Sequence, residues 1–304
     1  MGKDIIIFGK NSILAQNFFK NEKNKFNRFV FITRESNNSE DICCDIGGLI
    51  NKDQINNICK KIEDNSYEKE KVFILFAWCG GPRNYLEDSE KWIININIIK
   101  NFLLISKNIL PDRIIFISSS GAIYPQDQSK KFNELDIPIP STAYGKQKLI
   151  SENIIKSFAE ENDLQYTILR VSSAYGYDPR FSDQGVINKW IYAAINNKKL
   201  KLFNSKKSII NFISFSQISE AISLSISKNI YGIYNIGCSE SISLEELIEE
   251  IQLVCNRILE FEILNNEMRY CNLSIEKFEK NTGKLFKNEY KTNIKSIFHS
   301  IKKF

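Results

Sequence analysis

Asp4-Ile5-Ile6-Ile7-Phe8-Gly9-Lys10-Asn11-Ser12-Ile13-Leu14-Ala15 decides the fold class of this chain. Asp4 to Phe8 is a run of strand formers; Gly9 breaks it, and from about Ile13 to Asn21 the pattern is helical. The same alternation continues outward from this unit. Phe29 to Thr33 reads as a second strand and Asp41 to Ile46 as a short third one. Val72 to Phe76 is continuously apolar, which marks a strand buried on both faces. A long helix is predicted from Leu86 to about Asn108, a strand at Ile114 to Ser118, a helix from about Thr142 to Asn162 and a strand at Thr167 to Val171. Strands separated by helices form a parallel sheet covered on both faces, with right-handed crossovers. The expected architecture is α/β, a doubly wound parallel sheet.

The last third reads differently. It holds a helix around Gly185 to Asn196, a short strand near Leu202, a helix from Gln217 to Ser227, a strand at Gly232 to Ile236 and a helix from Ser243 to Cys255. Ser243 and Glu246 fit a capping box at the start of that last helix. The mixture predicts a smaller cap built from the C-terminal part, its chain crossing back to the main sheet more than once.

A chain of 304 residues suffices for one large domain or one domain with a smaller companion. Roughly 75% of the unfolded surface is buried at this length, so no disulfide or metal staple is needed. The net charge of +5 is small and the lysines are scattered, which argues against a nucleic-acid partner. The cysteines are Cys43, Cys44, Cys59, Cys79, Cys238, Cys255 and Cys271. Their number is odd and their spacing fits no metal site, so a reducing compartment is expected. The single histidine, His299, is predicted to lie on the surface of a last helix rather than to act in catalysis. The first strand follows the N-terminus with no signal-peptide pattern, and no apolar run is long enough to span a bilayer. The expectation is a cytoplasmic protein without a membrane partner.

Between Ile117 and Lys148 the sequence becomes specific. The strand ends Ile117-Ser118-Ser119-Ser120-Gly121-Ala122-Ile123-Tyr124, and Tyr144-Gly145-Lys146-Gln147-Lys148 begins 24 residues after Ser120. Tyrosine and lysine four apart lie on one helix face, one turn from each other. A phenol with a pKa of about 10 is a poor acid–base catalyst at neutral pH. A nearby ammonium favours the phenolate and lowers that pKa. A serine hydroxyl at the strand end can hold a substrate oxygen beside the tyrosine while hydride moves to or from a nicotinamide. This serine run, the tyrosine four residues after its last member, and the Tyr-Gly-Lys-x-Lys helix together resemble the extended short-chain dehydrogenase/reductases. Those enzymes act on nucleotide-activated sugars.

The resemblance implies a Rossmann-type sheet over residues 1–175 that binds a dinucleotide, with 210–236 returning to it. It also implies a smaller C-terminal substrate-binding cap from 176–209 and 237–304. The implied catalytic residues are Ser120, Tyr144 and Lys148, the last two also meeting the cofactor, with Ser119 as the alternative serine. Family members carry glycines at the first, fourth and seventh places of the first turn; here those places hold Gly9, Ser12 and Ala15. The implied phosphate contacts are Gly9, Asn11, Ser12, Ile13 and Leu14, at a helix N-terminus. The second strand ends Thr33-Arg34 with no acid, and a guanidinium there suits the extra phosphate of NADP(H), with NAD(H) as the alternative. Asp45 and Ile46 match the adenine-binding positions, and Ala77 and Asn95 match the pattern after the fourth strand. Ser119, Ser120, Gly121 and Ser173 fall in the substrate region. The Arg-Asp pair of many sugar epimerases is replaced by Ile210-Asn211, so either the substrate is held differently or another base such as Arg180 or Arg269 takes over the diphosphate contact. Tyr234-Asn235-Ile236-Gly237 matches the last strand of the main sheet.

A dehydratase of this family would carry Asp-Glu directly after the catalytic hydroxyl, where this chain has Gly121 and Ala122. The first reading is NADPH-dependent reduction of a nucleotide-linked 4-keto-6-deoxyhexose. The alternatives are an NAD-dependent nucleotide-sugar 4-epimerase and, in another class, a non-catalytic NAD(P)-binding regulator or scaffold. A homodimer through the two long helices is implied, with Ile93, Ile96, Phe102 and Ile105 apolar beyond the needs of one core face.

Overall fold

The computed structural model describes residues 2–36, 38–68, 70–81, 89–127, 130–179 and 185–302. The first part contains β1 (Lys3–Phe8), α1 (Ile13–Glu22), β2 (Arg28–Thr33), β3 (Ile42–Cys43), α2 (Lys52–Asp64), β4 (Glu70–Leu75) and α3 (Ser89–Ile109). It continues with β5 (Arg113–Ser119), a single turn α4 (Ser120–Ile123), α5 (Ala143–Glu161), β6 (Gln165–Val171) and β7 (Ser173–Tyr175). Then follow α6 (Val186–Ile195), β8 (Leu200–Leu202), β9 (Ile209–Ile210), β10 (Phe212–Ser214), α7 (Phe215–Ser227) and β11 (Gly232–Ile236). The last elements are β12 (Ile242–Ser243), α8 (Leu244–Cys255), β13 (Phe261–Ile263), β14 (Tyr270–Cys271), α9 (Glu276–Thr282) and α10 (Tyr290–Lys302).

Seven parallel strands make the main sheet, in the order β11-β6-β5-β4-β1-β2-β3. Alternation along each strand divides its side chains between two cores. Ile5, Ile7, Val72, Ile74, Ile115 and Ile117 face α1 and α7, where they meet Phe18, Ile218 and Ile222. Ile6, Phe8, Phe73, Leu75, Ile114 and Phe116 face the other way, toward Ile58, Ile62, Phe102 and Ile155 of α2, α3 and α5. The continuously apolar runs are thus explained by helices on both faces. A third core lies between α6, α8 and α10, built from Trp190, Ile191, Leu247, Ile251, Ile294 and Phe298. Phe278 and Phe286, although late in the chain, pack into the α1/α7 side of the main sheet.

Three expectations need correction. The sequence reading placed no element between 46 and 72, but α2 lies there. Asn51 caps it in a reciprocal box with Gln54, and Ile55, Ile58, Cys59 and Ile62 form its buried stripe. The third strand is Ile42–Cys43 alone, because Asp45 accepts from the Gly47 amide and turns the chain out of the sheet. Of the apolar residues expected to exceed the needs of the core on α3, Phe102 and Ile105 are core residues, while Ile93 and Ile96 are 57% and 50% exposed. The predicted start of that helix at Leu86 lies outside the described residues. His299 is exposed on α10. Among the described residues no helix is long and apolar enough to cross a membrane.

Candidate active site

The strand order reverses between β1 and β4, and the turns leaving these two strands touch. Gly9 has φ +94°, and a Cβ there would lie 2.6 Å from the Ala77 backbone nitrogen. A side chain at position 9 would be strained by its φ and would push the two turns apart. In open α/β sheets this is the switch point, the crevice where ligands bind. Ser12 is the N-cap of α1, yet its side chain makes no cap hydrogen bond. Cap donors of the first helical turn are therefore not claimed by Ser12, as an anion site requires. Asn11 is exposed, and Ser12, Ile13 and Leu14 are half-buried. Lys10, in the same turn, reaches away from it: its ammonium pairs with the buried Asp41 carboxylate, which also receives the Ser36 hydroxyl.

Arg34 follows β2 and is exposed, its ion pair with Glu35 spanning 4.0 Å. Asp45 is exposed and Ile46 buried, the latter's carbonyl held by Asn101. Asn95 stands apart from these groups. It is buried and grips the Cys79 backbone on both sides (N to Oδ1 2.8 Å, Nδ2 to O 3.1 Å) while donating to Gln147 of α5 at 3.1 Å. Its visible work is to fix the loop after β4 against the helix of Tyr144.

β5 and α5 bring the serine run and the Tyr/Lys pair together. The Thr142 hydroxyl caps α5 by accepting from the Gly145 amide at 3.1 Å, so Tyr144 lies in the first turn and Lys148 in the second. Gly145 permits this approach, since a Cβ there would lie 2.0 Å from the Ala122 carbonyl oxygen of α4. Ser120 opens α4; it is fully buried, and its Oγ has no hydrogen-bond partner among the described residues. Ser119 is half-buried. Ser118 points to other work, donating to Glu152 at 2.5 Å.

Lys148 is buried. Its Nζ donates to the Ile117 carbonyl at 2.9 Å and lies 5.9 Å from the Tyr144 ring centre. Burial pushes its pKa down to about 7, opposed by the negative Glu152 one turn further along α5. Glu152 in turn is clamped by Arg170 of β6, with Nη2 to Oε2 at 2.7 Å and Nε within 3.2 Å of both oxygens. Arg170 also donates to the Tyr124 hydroxyl at 2.8 Å, which is bonded to Asn235 at 3.0 Å. Removing one partner of such a buried pair costs about 3–5 kcal/mol, so the network locks α5 to β5, β6 and β11. The sequence reading missed Glu152 and Arg170. The spacing of Glu152, four residues after Lys148, was a readable signal.

A sequence model described as "NAD dependent epimerase/dehydratase family" matches residues 5–237, from β1 to the end of the main sheet.

The chain belongs to the NAD-dependent epimerase/dehydratase family.

As a member of this family it is 32% identical over 148 residues to the dTDP-4-dehydro-6-deoxyglucose reductase of Escherichia coli, covering 48% of this chain and 46% of that one. It is 29% identical over 162 residues to a putative UDP-glucose 4-epimerase of Methanocaldococcus jannaschii, covering 52% of each. The matches thus span about half the length of these curated relatives. Its fold superposes on the UDP-glucose 4-epimerase of Thermus thermophilus, solved with NAD, with a TM-score of 0.84 at 15% identity over 98% of this chain and 99% of that one. The UDP-glucuronic acid 4-epimerase of Bacillus cereus gives 0.84 at 20% identity, covering 99% of both.

Where many epimerases of the family carry Arg-Asp, Asn211 is buried and structural. Its amide donates to the Cys238 carbonyl at 2.8 Å and accepts from the Cys238 amide at 2.9 Å. Ser173 pairs its amide with the Asn211 carbonyl at 3.0 Å. Arg180 lies outside the described residues. Arg269 approaches the serine turn, donating to the Gly121 carbonyl at 2.8 Å. Beside it, Pro125, Gln126, Asp127, Met268 and Tyr270 line an open cleft of about 510 Å³, within the usual range for small-molecule sites. A smaller hollow of about 270 Å³ between α7 and residues 284–289 has none of the motif residues in its lining.

Proposed function

We propose that the protein reduces the C4 ketone of a nucleotide-linked 4-keto-6-deoxyhexose with NADPH. The observation that carries this reading is Arg34, an exposed guanidinium at the end of β2. It stands one strand from the Gly9 turn, where the Gly9 amide donates to the Ile32 carbonyl at 2.9 Å. A surface pair as long as Arg34–Glu35 contributes little, so the guanidinium is available to a phosphate. Gly121 and Ala122 supply no second acid–base pair, which argues against dehydration. The E. coli reductase among the relatives supports the same substrate class.

Gly9, Asn11, Ser12, Ile13 and Leu14 would hold the dinucleotide's phosphates, Arg34 its ribose end, Asp45 and Ile46 its adenine, and Ala77 the middle of its path. A bound nicotinamide supplies the hydride for C4 of the sugar. The Ser120 hydroxyl holds the ketone oxygen, and the Tyr144 hydroxyl gives that oxygen its proton. Cationic Lys148 keeps the phenol acidic, and the phenolate takes a proton back from solvent. Arg269 and the neighbouring cleft receive the nucleotide diphosphate. Residues 1–175 and 210–236 serve the cofactor in this reading, and 176–209 with 237–304 the sugar nucleotide. The protein works in the cytoplasm as a homodimer through α3 and α5.

A second reading, an NAD-dependent 4-epimerase, is supported by the putative UDP-glucose 4-epimerase among the relatives. A non-catalytic regulator on this fold would have no use for a buried lysine behind Tyr144. Titration of NADPH and NADH into the purified protein, repeated with Arg34→Ala, separates the readings. Tighter NADPH, weakened about tenfold or more by the substitution, supports the reductase. NAD carried through purification overturns it in favour of the epimerase. Tyr144→Phe is expected to abolish turnover with cofactor affinity unchanged; unchanged turnover would take the acid–base role from Tyr144, and a wild-type chain with no turnover would leave the regulator.

A further inference from the structure

Lys148 is shut away from solvent, and hydrogen bonding explains only part of how it is held. Its one carbonyl partner is Ile117, and Glu152 one turn away is committed to Arg170 and Ser118. Among the described residues, rings stand on the other sides. The ammonium sits 3.7 Å from the centre of the Trp78 ring and 4.7 Å from that of Phe116. Trp78 belongs to the loop after β4, the loop that Asn95 ties to Cys79 and to Gln147 of α5. Its ring also meets Tyr144 nearly edge-on, with centres 6.4 Å apart at 87°, and Phe116 at 6.0 Å. One indole therefore touches both members of the Tyr/Lys pair. Its own Nε1 donor is buried and has no partner among the described residues. An unpaired buried donor is costly, and the ring face against the cation is the return visible in the structure.

We propose that Trp78 is a positioning residue for Lys148, its indole face seating the ammonium between the Ile117 carbonyl and the Tyr144 ring. The proposal rests on the reading of Tyr144 and Lys148 as the acid–base pair. A cation over an indole face is held more strongly when both are desolvated than at an exposed site. That offsets part of the burial that draws the Lys148 proton off near neutral pH. Among the described residues, the titratable and charged groups around this ammonium are Tyr144 and Glu152 of α5, with Arg170 of β6 acting through Glu152; the β4 loop and β5 contribute ring faces and a carbonyl. Trp78 thus does for the charged form what a solvent shell would do at the surface. In the same contact it fixes the distance from which that charge acts on the phenol.

The test uses the whole chain labelled with 5-fluorotryptophan, which gives one fluorine signal for each of its three indoles. Across about pH 5.5 to 9 the Trp78 signal is expected to titrate with a midpoint near about 7, as Lys148 loses its proton, and to stop titrating in Lys148→Met. A Trp78 signal that stays flat in the wild-type chain overturns the proposal. Lysine labelled at Cε then reads Lys148 directly. Its midpoint should hold in Trp78→Phe, which keeps a ring face and drops the unpaired donor, and fall by about 1 in Trp78→Leu. Equal midpoints in the two variants also overturn it. With dTDP-4-keto-6-deoxyglucose and NADPH as the probe pair, Trp78→Leu should lose about tenfold in kcat with KM nearly unchanged, and Trp78→Phe should restore it. Wild-type kcat in Trp78→Leu would count against the positioning role. The fluorine titration needs no substrate, so it decides the seat of Lys148 even where Tyr144→Phe retains turnover and the acid–base reading itself falls.

Discussion

Lys148 shows how much one side chain draws on its surroundings. Burial takes its pKa from the ordinary lysine value down to about 7. Between about pH 7 and 10.4 the unfolded chain therefore binds a proton that the folded chain does not, and stability from this group rises with pH. Below about pH 7 both states are protonated, and the cost of burying the ammonium is fully present. The stability of Lys148→Met relative to wild type should accordingly be greatest near pH 6 and fall by about 1–3 kcal/mol toward about pH 9. Denaturant melts at the two pH values measure it; a difference that does not change with pH would mean that the lysine is not desolvated. At this scale the sequence was partly legible. Tyr144 and Lys148 share one helix, and their spacing together with the serine run of β5 announces a pair. Trp78 could not be read, because its contact with Lys148 joins the β4 loop to α5 and depends on the packing of both.

Among the longer helices, α2 was the one the sequence hid. Its mean character is polar and its apolar residues are Ile55, the adjacent Ile58 and Cys59, and Ile62, so no long run drew attention. The informative signal was the capping box at its start, where Asn51 Oδ1 accepts from the Gln54 amide and Gln54 Oε1 from the Asn51 amide, both at 2.9 Å. Asn51→Ala is predicted to cost about 1 kcal/mol, measured as a lower denaturation midpoint, while Asn51→Ser should cost much less. Equal losses in the two variants would mean that the cap contributes nothing. Strands were easier than helices because their apolar runs were uninterrupted. The end of the third strand was misjudged, since the Asp45 turn that stops it is a local hydrogen bond and leaves no trace in hydropathy.

For the molecule as a whole, the alternation of strands and helices made the doubly wound sheet legible from one end of the family match to the other. The cap was legible only as a change of rhythm, because its short strands β8, β9, β12, β13 and β14 are set by partners distant in sequence. The long helices α3 and α5 leave Ile93 and Ile96 exposed on one and Ile150 and Ile154 on the other. If two copies cover these residues, Ile96→Lys with Ile154→Lys should give a monomer in analytical ultracentrifugation where wild type is a dimer. Unchanged mass would place any dimer elsewhere.

Phe278 and Phe286 close the α1/α7 side of the main sheet, and this sets a timetable for the growing chain. In chain order this face receives α1, then α7, and its cover is completed only once residues 278–286 have been made. Until then the chain carries part of this apolar surface uncovered, the condition under which partly folded species associate. For the same reason a stop codon ahead of Phe278 would not yield a cofactor domain that merely lacks its cap. It would yield a sheet with one side unfinished.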